Sequence, residues 1–112
     1  MKMVMAIIKP FKLDDVRDAL TKIGVEGLTA TDVKGFGRQK GQVESKDQNA
    51  YAPHFLPKLK IEVAIPKALL KKTIKAIQDS ANTGRIGDGK IFVYNLEEVV
   101  RIRTGENGED AI

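Results

Sequence analysis

KLKIEVAIPKALLKKTIKAIQDSANTGRIGDGKIFVYNL, Lys58 to Leu96, changes its hydrophobic period twice. Leu59, Ile61, Val63 and Ile65 first alternate with Lys58, Lys60, Glu62 and Ala64, which predicts a strand with one apolar face. Pro66 closes that strand and suits the first turn of a helix. Leu69, Leu70, Ile74 and Ile77 then fall at helical spacing and predict an amphipathic helix ending near Ala81, with Lys67, Lys71, Lys72 and Lys75 mostly on its outer face. A glycine-rich turn, TGRIGDGK (Thr83 to Lys90), leads into IFVYNL, which is rich in strand formers. Strand, helix and strand therefore follow one another here.

The N-terminal half repeats the plan. VMAIIK (Val4 to Lys9) reads as a first strand, apolar on both faces as a central strand would be, and Pro10 ends it. Leu13, Val16, Leu20 and Ile23 predict a helix from about Lys12 to Ile23, with Asp14 and Asp15 near its positive end and Gly24 placed to cap it. A second strand is expected around Leu28 to Val33. From Gly35 to about Pro57 neither period holds, and an irregular stretch of that length is usually functional or mobile. The fourth strand runs from Lys90 to about Asn95, followed by a short strand-like extension, Val99 to Arg103, and a polar, frayed tail. The order is βαββαβ. It predicts an α+β, ferredoxin-like domain: a four-stranded antiparallel sheet, two helices on one face, and a long insertion in the hairpin between strands two and three. With no third helix, the second sheet face calls for another copy of the chain.

At 112 residues the chain fits one domain, residues 1–112, and 42% apolar residues suffice for a core. There is no cysteine, hence no disulfide framework or thiolate metal site, and a cytoplasmic location is expected. The apolar run in MKMVMAIIKP is too short for a signal peptide or a membrane span. A net charge of +4 permits nucleic acid, anionic metabolites or an acidic protein partner and selects none.

The glycine turn carries the chemistry. Glycines let backbone approach a ligand, successive amides form a nest for anions, and Arg85 and Lys90 add positive charge. Gly84, Gly89 and Lys90 have P-loop spacing, but Ile91 stands where a P-loop needs Ser or Thr, and a strand follows instead of a helix. Phosphate site and plain tight connector both remain open for the turn itself. Arg101 and Arg103, two apart on the expected strand, would share a face and suit a polyphosphate. A solvated arginine pair on an edge strand is the competing reading.

The chain resembles the PII nitrogen-regulatory signal-transduction proteins over almost its whole length. The resemblance is carried by AIIKPFKLDDVRDAL (Ala6 to Leu20), VKGFGRQKG (Val33 to Gly41), FLPKLKIEV (Phe55 to Val63), TGRIGDGKIFV (Thr83 to Val93) and VRIRTGE (Val100 to Glu106). It implies a homotrimer with an ATP or ADP site in each cleft between subunits. By position Ile86, Gly87, Asp88, Gly89 and Lys90 would wrap the phosphates, Arg101 and Arg103 would reach them from the neighbouring chain, and Arg38 would add charge. Ile7, Gly35, Gly37, Glu62 and Ala64 match positions around base and ribose. Gln39 matches the family's Mg2+ ligand, completed by ATP and 2-oxoglutarate. Lys58 would pair with a carboxylate of 2-oxoglutarate, near the backbone of Gly37, Gln39, Lys40, Gly41 and Gly87. The resemblance further implies a partner-binding T-loop over residues 37–55, a B-loop over 82–90, a C-terminal segment over 101–112, and no catalytic activity. Targets reached through the T-loop would be an ammonium or other membrane transporter, which could recruit the protein to a membrane, or a regulatory enzyme of nitrogen metabolism.

The T-loop centre departs from the family. It reads VESKDQNAY where many relatives are closer to TELYRGAEY: Lys46 replaces a common Tyr, and Asp47 replaces an Arg, reversing the charge at the tip. Tyr51 matches the position that relatives uridylylate, although the residues before it differ. At these positions the resemblance does not carry over docking to an ammonium transporter or a kinase, or recognition of Tyr51 by a modifying enzyme. The alternative reading is a PII paralogue with a diverged T-loop that regulates a different transporter or enzyme.

Two other classes fit less well. Lys34-Gly35-Phe36-Gly37 matches the start of an RNA-recognition signature, but Arg38, Gln39 and Lys40 break it, it ends strand two instead of lying on strand three, and aromatics are only 5% of the chain. No nucleic-acid partner is expected. For an enzyme, the single histidine, His54, has no partner near it in sequence, and only Asp88 could orient a water beside a phosphate. Lys40 stands where a dinucleotide fingerprint beginning at Gly35 needs its third glycine. Met1, Met3 and Met5 share one strand face and read as packing.

Overall fold

The structure, a computed structural model, describes residues 1–37 and 54–112. Strand β1 (Lys2–Ile8) leads through a 3-10 turn (Pro10–Lys12) into helix α1 (Leu13–Lys22). Strands β2 (Thr29–Gly35) and β3 (Leu56–Ile65) flank the insertion. A second 3-10 turn (Lys67–Leu69) opens helix α2 (Leu70–Ala81), and strand β4 (Lys90–Asn95) follows the glycine turn. The sheet order is β2-β3-β1-β4, with every neighbouring pair antiparallel. This is the ferredoxin-like arrangement that the two βαβ halves predict.

Alternation decides which face is covered. Val4, Ala6 and Ile8 of β1 and Leu59, Ile61, Val63 and Ile65 of β3 are buried together with Val16 and Leu20 of α1 and Ile77 and Ala81 of α2. Both helices thus lie on one face of the sheet. A single buried Leu or Ile here contributes about 2 kcal/mol, so this cluster holds the domain together. α1 ends as its glycine suggests: Gly24 N–H donates to Thr21 O at 3.1 Å and Val25 N–H to Leu20 O at 3.0 Å.

On the opposite face Met3, Met5 and Ile7 are only half-buried, and Phe92 and Tyr94 of β4 are exposed. Pairing aligns them in rows: Ala64–Met3–Tyr94, Glu62–Met5–Phe92 and Lys60–Ile7–Lys90.

Two expectations are corrected at the C-terminus. Val99 to Arg103 is no strand extension but one side of a tight hairpin, held by Arg101 N–H to Glu106 O (2.8 Å), Gly105 N–H to Arg101 O (2.8 Å) and the Val100–Asn107 bridge. Gly105, at φ 73°, takes the left-handed conformation that lets the chain reverse there, so Arg103 sits in a turn, not on a strand beside Arg101. The tail is not frayed either. Gly108 N–H donates to Val99 O at 2.9 Å, and residues Gly108–Ala111 form a 3-10 helix.

Candidate functional site

The glycine turn is seated against the end of β1 by contact that only glycine permits. A Cβ on Gly89 would lie 1.6 Å from the carbonyl oxygen of Ile7, and its φ is +100°. The missing Cβ at Gly89 therefore lets the turn's backbone lie flat against β1, and Gly87, at φ 96°, completes the reversal.

Inside the turn one carboxylate organises the backbone. Asp88 Oδ2 accepts from the N–H of Thr83 (2.8 Å) and of Gly84 (3.0 Å), while Oδ1 accepts from the Thr83 hydroxyl and pairs with Lys9 Nζ at 3.1 Å. Lys9 Nζ also donates to Thr83 Oγ1 at 3.1 Å, and Arg85 N–H donates to the same oxygen at 3.3 Å. Desolvation opposes ionisation of Asp88, but the bonds from Thr83, Lys9 and Gly84 outweigh it and hold the carboxyl well below its usual range. With both oxygens engaged and its basicity suppressed, Asp88 is a poor general base, and the water-orienting role weighed for it finds no support in this geometry.

Lys58 approaches from β3. Its side chain is buried, and Nζ donates to Gly87 O at 2.6 Å. Gly35 leaves it room: a Cβ there would stand 3.1 Å from Lys58 Cγ. Burial lowers its pKa from 10.5, the nearby Lys9 lowers it further, and Asp88 opposes both. A part-buried ammonium that lines the cleft and bonds the Gly87 carbonyl suits an incoming carboxylate or phosphate.

These elements enclose a cleft of about 550 Å³ lined by Ile7, Gly35, Phe36, Gly37, Lys58, Ile86, Gly87, Gly89, Lys90 and Phe92. Eight of the residues expected from the sequence thus meet on one surface, with Asp88 bracing the turn behind them. Glu62, Ala64 and Arg101 do not join them. They line a second cleft of about 840 Å³, with Met3, Leu28, Thr29 and Glu109, toward the opposite end of β1. Ile7 and Met3 are four residues apart on β1, about 13 Å along the strand. Arg101 pairs with Glu106 at 3.5 Å, and Arg103 is exposed in the turn beyond it. Arg38, Gln39, Lys40, Gly41 and Tyr51 lie outside the described residues.

Sequence reasoning missed Lys9, the lining of the cleft by Phe36 and Phe92, and the contact of Phe36 with Phe55. Lys9 lies 74 positions from Thr83, and nothing local links the two. Phe36 and Phe55, exposed at the base of the insertion, stand 5.7 Å apart between ring centroids. Their places at the mirrored ends of β2 and β3 are a signal that the strand pairing could have supplied. His54 is exposed, and among the described residues no group of three His, Cys, Asp or Glu could hold a metal ion.

The family model for nitrogen regulatory protein P-II matches residues 1–106. Proteins described by that same name from Rhizobium etli and Rhodospirillum rubrum are each 61% identical over 112 residues, covering all of both chains, and one from Azospirillum brasilense is 60% identical over the same length. Among solved structures, Arabidopsis thaliana PII bound to citrate superposes with a TM-score of 0.83 at 40% identity, covering 99% of this chain and 91% of that one.

Proposed function

Because the chain belongs to the nitrogen regulatory protein P-II family, we propose that it is a signalling regulator, not a catalyst, which binds ATP or ADP between copies of itself and senses 2-oxoglutarate. The observation that carries this reading is the division of the expected site residues into two clefts. One cleft holds the phosphate-wrapping Ile86, Gly87, Gly89 and Lys90 together with Ile7, Gly35 and Gly37 of the base and ribose positions and the 2-oxoglutarate lysine Lys58. The other half, Glu62, Ala64 and Arg101, belongs to a different part of the surface. A homotrimer that turns its half-buried sheet faces inward would bring one half of each copy against the other half of its neighbour, with Arg103 beside Arg101.

In that site the backbone of Ile86 to Lys90 and the cations of Lys90, Arg101 and Arg103 bind the phosphates, with Arg38 adding charge. Magnesium would neutralise phosphate charge; Asp88, the one carboxylate of this turn, is already engaged, and Gln39 would hold the ion together with ATP and 2-oxoglutarate. Lys58 exchanges the Gly87 carbonyl for a carboxylate of 2-oxoglutarate, beside Gly37, Gln39, Lys40 and Gly41. The citrate-bound Arabidopsis relative agrees with a protein family that accepts carboxylates. Ligand state then biases the 37–55 segment, because each ligand favours one loop conformer by its differential affinity. Among the described residues no helix is long and apolar enough to cross a membrane, and the reading takes the protein as cytoplasmic, recruited by a target. That target is a transporter or a regulatory enzyme. Asp47, which reverses the charge at the tip of the loop, and Lys46, which replaces a common Tyr, favour a partner other than an ammonium transporter, and Tyr51 is the candidate uridylylation site.

Calorimetry tests the reading. ATP and ADP bind, and 2-oxoglutarate binds only when ATP and magnesium are present. Equal binding of 2-oxoglutarate to the ligand-free protein contradicts it.

A further inference from the structure

We propose that Lys9 is a positioning residue for the anion-binding turn: it holds Asp88 and Thr83 in place and neutralises a carboxylate that would otherwise repel the ligand. The inference rests on the nucleotide reading of the cleft.

Its basis is a closed set of contacts. Lys9 Nζ lies 3.1 Å from Asp88 Oδ1 and 3.1 Å from Thr83 Oγ1, joining the end of β1 to the turn at two points. Both side chains of the ion pair are largely shielded, with 16% exposure for Lys9 and 24% for Asp88. Asp88 in turn takes up the N–H groups of Thr83 and Gly84, which closes the first half of the turn upon itself. Gly87, Gly89 and Lys90 beside it line the cleft. A negative charge thus sits within the segment that is to receive phosphates. Unneutralised, it would repel an anion strongly in so shielded a place. Lys9 supplies the compensating charge from the side away from the sequence of the turn, and Gly89 pressed on Ile7 O fixes the same junction sterically. One device therefore sets both the shape and the sign of the site.

A purely structural lysine and a charge-compensating one differ in what their loss does to ligands of different charge. Removing Lys9 should weaken ATP more than ADP, and adenosine least. The test is calorimetric titration of ATP, ADP and adenosine into the full-length protein and its Lys9→Met and Lys9→Arg variants, with amide hydrogen exchange of residues 83–90 in the absence of ligand. Lys9→Met keeps most of the aliphatic stem and removes the charge. The expected result is about tenfold weaker ATP binding, the typical weight of one charged hydrogen-bond pair. The loss for ADP is smaller, recovery in Lys9→Arg is substantial, and exchange accelerates across 83–90 while β1 and β3 stay protected. ATP affinity in Lys9→Met within about twofold of wild type, equal losses for all three ligands, or unchanged exchange across 83–90 would overturn it. A wild-type protein that binds no ATP refutes the nucleotide reading itself, while the exchange measurement still decides whether Lys9 holds the turn.

Discussion

Gly89 is the residue on which the site's geometry turns. A methyl group there meets the Ile7 carbonyl at 1.6 Å while the backbone sits at φ +100°, so Gly89→Ala must displace either the turn or β1. The expected cost is about 3 kcal/mol, the upper range for a forced backbone conformation, read by urea denaturation, together with loss of ATP binding. Asp88 gives a pH signature. Its folded pKa is depressed below 3.8, so its contribution is complete above that value and falls away as pH drops below it. Below about pH 4, wild type should lose stability more steeply than Asp88→Asn; parallel slopes would refute the role assigned to this carboxylate. Lys58 predicts the opposite limb. Because burial lowers its pKa, affinity for 2-oxoglutarate should decline as pH rises before the ordinary lysine value of 10.5 is reached.

At the scale of elements, period told most of the story. β3 and α2 were legible because a period of two gives way to 3.6 at Pro66. Burial alternates along β3 from Leu59 to Ile65; Ile77 of α2 is buried with Thr73 and Ala81, while Leu69, Leu70 and Ile74 are half-buried. α1 was legible from its apolar spacing and terminal glycine. The hairpin from Val99 to Gly108 was not, because VVRIR alternates like a strand while the reversal depends on backbone bonds made by Gly105 and Gly108. The same limit hid Lys9: an ion pair between the end of one strand and a turn far along the chain leaves no local pattern. One side chain in α2 runs against its surroundings. Thr73 is fully buried, and its hydroxyl has no partner among the described residues. Thr73→Val should raise stability by about 1 kcal/mol in denaturant titrations, since it removes an unsatisfied polar atom at nearly constant shape.

For the whole molecule, the glycine turn and the arginine hairpin occupy separate clefts, and the half-apolar sheet face lies between them. Fold and glycine turn could be read from one chain's sequence because each depends on neighbours within that chain. The assignment of Arg101 and Arg103 to a neighbouring copy rests on the resemblance alone, because no pattern within one chain links the cleft of the hairpin to that of the glycine turn. A mixing experiment tests this most directly. Lys90→Ala and Arg103→Ala variants are purified separately, exchanged into mixed oligomers and titrated with ATP. Each variant alone should bind weakly, whereas the mixture should recover binding at roughly a quarter of its interfaces, those joining an intact turn to an intact arginine hairpin. A protein that stays monomeric, or mixed oligomers that bind no better than either parent, would contradict a site shared between copies.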